Sequence, residues 1–166
     1  MKIFIPQITW EGDFGKYFVE SMRKNGVEVV TNQNRFHRNP VFRWTRLRTI
    51  EPIKKSEWRY YAKKYGKSIL TQCIESKPDV FLVFNESKLS PYIIRSIKEK
   101  CKCLMVLVLG DDPWDSIRWM SDFPHSLKYF DIIFSADPAW NNNIRKVAPN
   151  AKIFWHCGGY DENRFS

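Results

Sequence analysis

Leu104–Trp114 reads LMVLVLGDDPW: an unbroken apolar run, then Gly110, the carboxylates of Asp111 and Asp112, Pro113 and Trp114. A strand that is apolar on both faces belongs in the middle of a parallel sheet, where helices cover it above and below. In open α/β sheets the ligand crevice lies beyond the carboxyl ends of the strands. The stretch therefore predicts a fold, and it places Asp111 and Asp112 on the edge of that fold where chemistry is expected.

The same grammar extends in both directions. Lys2 to Pro6, Val27 to Thr31 and Asp79 to Phe84 read as strands before it, and Asp131 to Ser135 and Lys152 to His156 as strands after it. Between them lie helical patterns. Phe14, Phe18 and Met22 step by four toward a stop at Gly26. Trp58, Tyr61, Tyr65, Ile69 and Cys73 form one stripe of a long helix from about Lys54 to Ser76. Ser90-Pro91 opens another helix, with Leu89 placed to staple onto Ile94, and Asp137-Pro138 caps a helix that uses Trp140, Ile144 and Val147. Strands alternating with helices at this spacing predict a Rossmann-like α/β fold: a doubly wound parallel sheet of about six strands with helices on both faces. At 166 residues one domain is expected, spanning 1–166 with an insertion at 32–53 that fits neither pattern.

Composition narrows the functional classes. No segment approaches the ~20 apolar residues of a membrane span, and the apolar run in MKIFIPQITWEGD is too short for a signal peptide, so the expected location is the cytosol. The four cysteines, at 73, 101, 103 and 157, have no C-x-x-C spacing, and Cys101 and Cys103 flank one lysine at a strand entrance. No metal site is expected. Charge is the unusual feature. Gln33 to Lys67 holds eleven Lys or Arg against two Glu, a surplus equal to the whole net charge of +9. One segment carries the excess, which points to a local surface for an anionic partner.

Four groups of residues are candidates for a site. Asp111 and Asp112 follow the central strand; Asp112 before Pro113 is a natural N-cap, while Asp111 is either placed for proton abstraction or one of a capping pair that only orders the turn. Trp114 beside them suits stacking on a sugar, with helix packing as the plainer role it shares with Trp119. The first strand-to-helix loop, running to Gly15, contains Gly12, Asp13, Phe14 and Gly15. It lacks G-x-G-x-x-G, and Asp13 would occupy the N–H groups that cradle a phosphate, so the loop is either a capped turn or a binder of hydroxyls. Asn85 and Glu86 fall on the same sheet edge and could bind hydroxyls or simply shape the approach to the next helix. Finally, RFHRNPVFRWTRLR from Arg35 to Arg48 interleaves Arg35, Arg38, Arg43, Arg46 and Arg48 with Phe36, Phe42 and Trp44. That pairing suits nucleic acid, an anionic glycan, a pyrophosphate-linked acceptor or a membrane surface, and equally a solvated loop. His37, His125 and His156 show no triad spacing and are assigned no catalysis.

Taken in order, EGDFG, KPDVFLVFNE before Ser90-Pro91, LGDDPW, YFDIIFSAD and IFWHCGGYDENRF resemble the amino-terminal half of a two-domain GT-B glycosyltransferase, close to the CgeB-like (spore-maturation) group. The resemblance covers nearly the whole chain except the basic insertion, and it rests on order and spacing more than on any one motif. It implies an acceptor-side domain that faces a carboxyl-terminal, donor-binding domain across a cleft, with residues 158–166 opening the linker between them. The donor would be a nucleotide sugar, taken as substrate and not held as a cofactor, and the partner a glycan or other hydroxyl acceptor. In that setting Asp111 contacts the reacting hydroxyl with Asp112 in support, and Gly12 to Gly15, Asn85 and Glu86 line the cleft. Alone, the chain is expected to have little or no transferase activity. Two other readings stay open: a non-enzymatic module that holds nucleic acid or another anionic polymer through the arginine-rich insertion, and, with less to support it, a flavodoxin-like or nucleotide-binding protein. Fold decides none of these.

Overall fold

A computed structural model describes residues 1–6, 14–32, 51–84, 89–114 and 122–156. Its elements are β1 (Lys2–Ile5), α1 (Phe14–Lys24), β2 (Glu28–Thr31), α2 (Glu51–Ser76), β3 (Val80–Phe84), α3 (Pro91–Cys101) and β4 (Leu104–Leu109). A 3-10 helix (Phe123–Tyr129), β5 (Ile132–Ser135), a 3-10 turn (Pro138–Trp140), α4 (Asn141–Val147) and β6 (Lys152–Trp155) follow. The six strands form one sheet in the order β2-β1-β3-β4-β5-β6, and every neighbouring pair is parallel. The α/β doubly wound expectation is met.

Strand alternation divides the core into two layers. Phe4, Phe81, Val83, Met105, Leu107, Leu109 and Ile133 point to one face, where Ile69 and Cys73 of α2, Ile93, Ile94 and Ile97 of α3, Phe123 and Leu127, and Ile144 of α4 cover them. Ile3, Ile5, Val29, Leu82, Phe84 and Val106 point to the other face, against Val19 of α1. Phe4 and Phe81 stack across β1 and β3 with centroids 5.9 Å apart, a contact worth ~0.5–1.5 kcal/mol beyond its area. Val106 and Leu107 of β4 are both buried, one in each layer, which is why the strand reads as a continuous apolar run.

The helix ends follow their local chemistry. Gly26 has φ +75°, and Gly26 N–H and Val27 N–H donate to the carbonyls of Arg23 and Met22, both at 3.0 Å, closing α1 in a Schellman motif. Ser90 Oγ accepts from Ile93 N at 3.4 Å, and Leu89 and Ile94 are both buried in one cluster, as a staple requires. Three boundaries differ from the sequence expectation. α1 already includes Phe14 and Gly15, so the first loop ends by residue 13. α2 starts at Glu51, not Lys54, with Pro52 in a first turn where its missing N–H costs nothing. The Asp137-Pro138 helix begins as a 3-10 turn before α4. The 3-10 helix over Phe123–Tyr129 was not expected at all.

Candidate functional site at the carboxyl edge of the sheet

The strand order reverses between β1 and β3, so the crevice of an open sheet is expected beyond the carboxyl ends of these central strands and their neighbour β4. The chain leaves β4 through Gly110, Asp111 and Asp112, and both carboxylates are half-buried. Asp112 Oδ1 accepts from Trp114 N at 2.9 Å. That bond orders the turn, which is the structural role its place before Pro113 suggests. Pro113 is buried, and Trp114 keeps 37% of its surface exposed, so its ring is not consumed by packing.

Register brings further residues to this edge. Leu109 pairs with Ser135 and Ser135 with Trp155, and the ladder runs on through Ala136 N to Leu109 O and His156 N to Ser135 O. Asp111 and Asp137 therefore emerge two residues beyond the same paired position, from adjacent strands. Asp137 is committed to a cap: its Oδ1 accepts from Ala139 N at 2.8 Å. Trp155 ends β6 with 60% of its surface exposed, its indole N–H donating to Ala136 O at 3.3 Å. Nε2 of His156 and Oδ1 of Asn141 are buried atoms with no hydrogen-bond partner among the described residues. The sequence assigned His156 no catalysis and did not single out Trp155 or Asn141; strand pairing brings Trp155 and His156 to the edge, and no local motif marks them. At the end of β2, the Asn32 side chain is buried and its Oδ1 accepts from Gln72 Nε2 of α2 at 3.1 Å.

The opposite edge is sewn together by two other aspartates. Asp79 Oδ2 accepts from Lys2 N at 2.7 Å, joining β1 to β3. Asp131 Oδ2 accepts from Met105 N at 2.9 Å, and its carboxylate pairs with Lys98 of α3 at 2.5 Å. These carboxylates stand before strands, at the amino edge, and fix strand positions.

Several predicted residues lie outside the described ones: Gly12, Asp13, Asn85, Glu86, Trp119, Cys157, the segment 158–166, and Arg35, Arg38, Arg43, Arg46 and Arg48 of the basic insertion. Phe14 and Gly15 are placed as backbone, in the first turn of α1. Among the described residues no cluster of His, Cys, Asp or Glu is arranged to hold a metal ion, and no helix is long and apolar enough to cross a membrane.

Fold and edge together define a Rossmann-like α/β domain with Asp111, Asp137, Trp114 and Trp155 at the carboxyl ends of the strands. No family model matches the chain, and no curated protein matches it in sequence. Among solved structures it is similar to Anabaena HepE in complex with UDP and glucose, at 14% identity and a TM-score of 0.45. That match covers 98% of this chain and 46% of HepE, so the chain spans just under half the length of that protein.

Proposed function

We propose that this chain is the acceptor-binding half of a glycosyltransferase that uses a nucleotide-sugar donor and works jointly with a donor-binding domain. The observation that carries the reading is the turn after β4. A half-buried Asp111 sits at the carboxyl end of a central strand, beside a turn that Asp112 holds and an exposed Trp114. A carboxylate next to an aromatic face is what a sugar hydroxyl needs: one group to take or orient its proton, one to stack against the ring. The ordered segments that resemble GT-B enzymes of the CgeB-like group support the same reading. Asp111 acts on the acceptor hydroxyl, Asp112 keeps the turn in place, and Gly12, Asp13, Asn85 and Glu86 complete the wall of the cleft.

The test is transfer by the complete enzyme from a panel of nucleotide sugars. Asp111→Asn is expected to lower kcat about 100-fold or more, the usual size of a general-base contribution, while Trp114→Ala raises the acceptor KM. Unchanged turnover in Asp111→Asn rejects the catalytic assignment.

A second reading is favoured by the charge distribution: a non-enzymatic module for nucleic acid or another anionic polymer. The described end of the basic segment exposes Lys63, Lys64 and Lys67 on α2. Transfer activity and salt-dependent polymer binding separate the two readings.

A further inference from the structure

Cys73 meets Cys101 and Cys103, nearly thirty residues further along the chain, at the amino edge of the sheet, away from the carboxylate turn. Cys73 lies in the last turn of α2, Cys101 ends α3, and Cys103 stands at the entrance of β4. Cys73 and Cys103 are buried in one core cluster with Cys101 packed against it, and Cys103 Sγ lies 4.0 Å from Met105 Sδ. Cys73 is fully buried, Cys103 is 6% exposed and Cys101 is half-buried, so the cluster runs from the core toward solvent. All three are free thiols.

The surroundings divide the roles among them. Hydrogen bonding from Cys73 holds the Cys103 thiol below the ordinary range, Lys98 of α3 acts in the same direction, and burial and the Asp131 carboxylate act against it. The Cys73 thiol is pushed up, first by its bond to Cys103 and then by burial. Burial also raises Cys101. Cys103 is the less buried of the two and stands beside the half-buried Cys101, so it takes the part of the attacking sulfur and the fully buried Cys73 that of the resolving one.

We propose that Cys73, Cys101 and Cys103 form a peroxide-responsive thiol site that closes as a disulfide between Cys73 and Cys103. The Cys103 thiolate attacks one peroxide oxygen, the O–O bond breaks, and the departing hydroxide takes a proton to leave as water. Cys103 is then a sulfenic acid. Cys73 gives up its proton, its sulfur attacks Cys103, the S–S bond forms, and the S–O bond breaks to release a second water. Two thiols are oxidised and one hydrogen peroxide is reduced to two waters. The half-buried Cys101 marks the solvent side from which peroxide arrives. The product ties the last turn of α2 to the start of β4.

The experiment treats the Cys157→Ser protein with hydrogen peroxide and alkylates the remaining thiols before and after. The expected result is a mass loss of about 2 Da and the disappearance of two of the three thiols. Trypsin cleaves after Lys102, so Cys101 and Cys103 fall on different peptides, and the non-reduced digest is expected to join the Cys73 peptide to that of Cys103. Cys101→Ser retains this crosslink and Cys73→Ser loses it. Three thiols surviving peroxide, or a crosslink through Cys101, overturns the proposal. Circular dichroism of each variant confirms that it is folded.

Discussion

Gly66 of α2 lies against Ile93 of α3 so closely that a Cβ on the glycine would stand 2.9 Å from Ile93 Cδ1 and closer still to Cγ1. Gly66 is buried in the middle of a 26-residue helix, where glycine costs ~1 kcal/mol relative to alanine. The close approach of the two helices accounts for it. On propensity alone, Gly66→Ala would stabilise the protein.

The clash reverses that sign. Forcing one methyl into a filled contact costs ~1–3 kcal/mol, so Gly66→Ala is expected to lower stability by about 1 kcal/mol after the propensity gain. Chemical denaturation measures it. Adding Ile93→Ala, which removes both Cγ1 and Cδ1, is expected to make the double variant less destabilised than the sum of the single changes. A stabilised Gly66→Ala protein contradicts the packing described.

The clip at the opposite end of β4 makes a second prediction. Asp131 holds Met105 N and Lys98 Nζ together, but its side chain is 37% exposed, so the ion pair itself is worth little. Asp131→Ala is expected to cost about 1–2 kcal/mol through the stranded Met105 N–H. Asp131→Asn keeps an oxygen acceptor and is expected to lose well under ~1 kcal/mol. Equal losses in the two variants would show that charge, and not the backbone bond, is what matters there.

How much of this was legible follows from what each feature depends on. β3 and β4 were readable because a strand buried on both faces has no polar alternation to obscure it. Ser90 and Gly26 were readable because caps act over three or four residues. The 3-10 helix of Phe123–Tyr129 was missed because seven residues, with Pro124 in the first turn, are too few to establish a period. Gly66 was missed because its neighbour lies on another helix. Asp79 and Asp131 resemble Asp111 in sequence, each adjoining an apolar strand. What separates them is the end of the strand they occupy, and only the hydrogen bonds to Lys2 N and Met105 N show that the first two are structural. Trp155 and His156 reach the candidate edge through pairing of β5 with β6, a long-range relationship that no local motif encodes.

Asp112 and Trp114 give a third prediction. Asp112→Ala removes the acceptor of the Trp114 N–H bond and is expected to cost about 1 kcal/mol, as loss of a cap does. Asp112→Asn retains an oxygen at that place and is expected to preserve both stability and the environment of Trp114, read by its fluorescence. If Asp112→Ala leaves melting and fluorescence unchanged, the turn is held by something other than this bond.

The basic segment supplies the last prediction, and it decides between a phosphate-bearing polymer and a neutral acceptor. Replacing Arg43, Arg46 and Arg48 by Ala removes three of the eleven cations between Gln33 and Lys67. If the segment contacts phosphates, binding to a single-stranded oligonucleotide weakens as salt rises, with a log–log slope of roughly −0.7 per contacted phosphate. The triple variant would then flatten that slope by about 2 if all three arginines make such contacts. A glycan titration monitored in parallel separates the two surfaces. Loss of oligonucleotide binding with glycan binding intact places the two ligands on different faces. Loss of glycan binding alone, with a salt slope near zero, makes the arginines part of the acceptor site and removes the polymer reading.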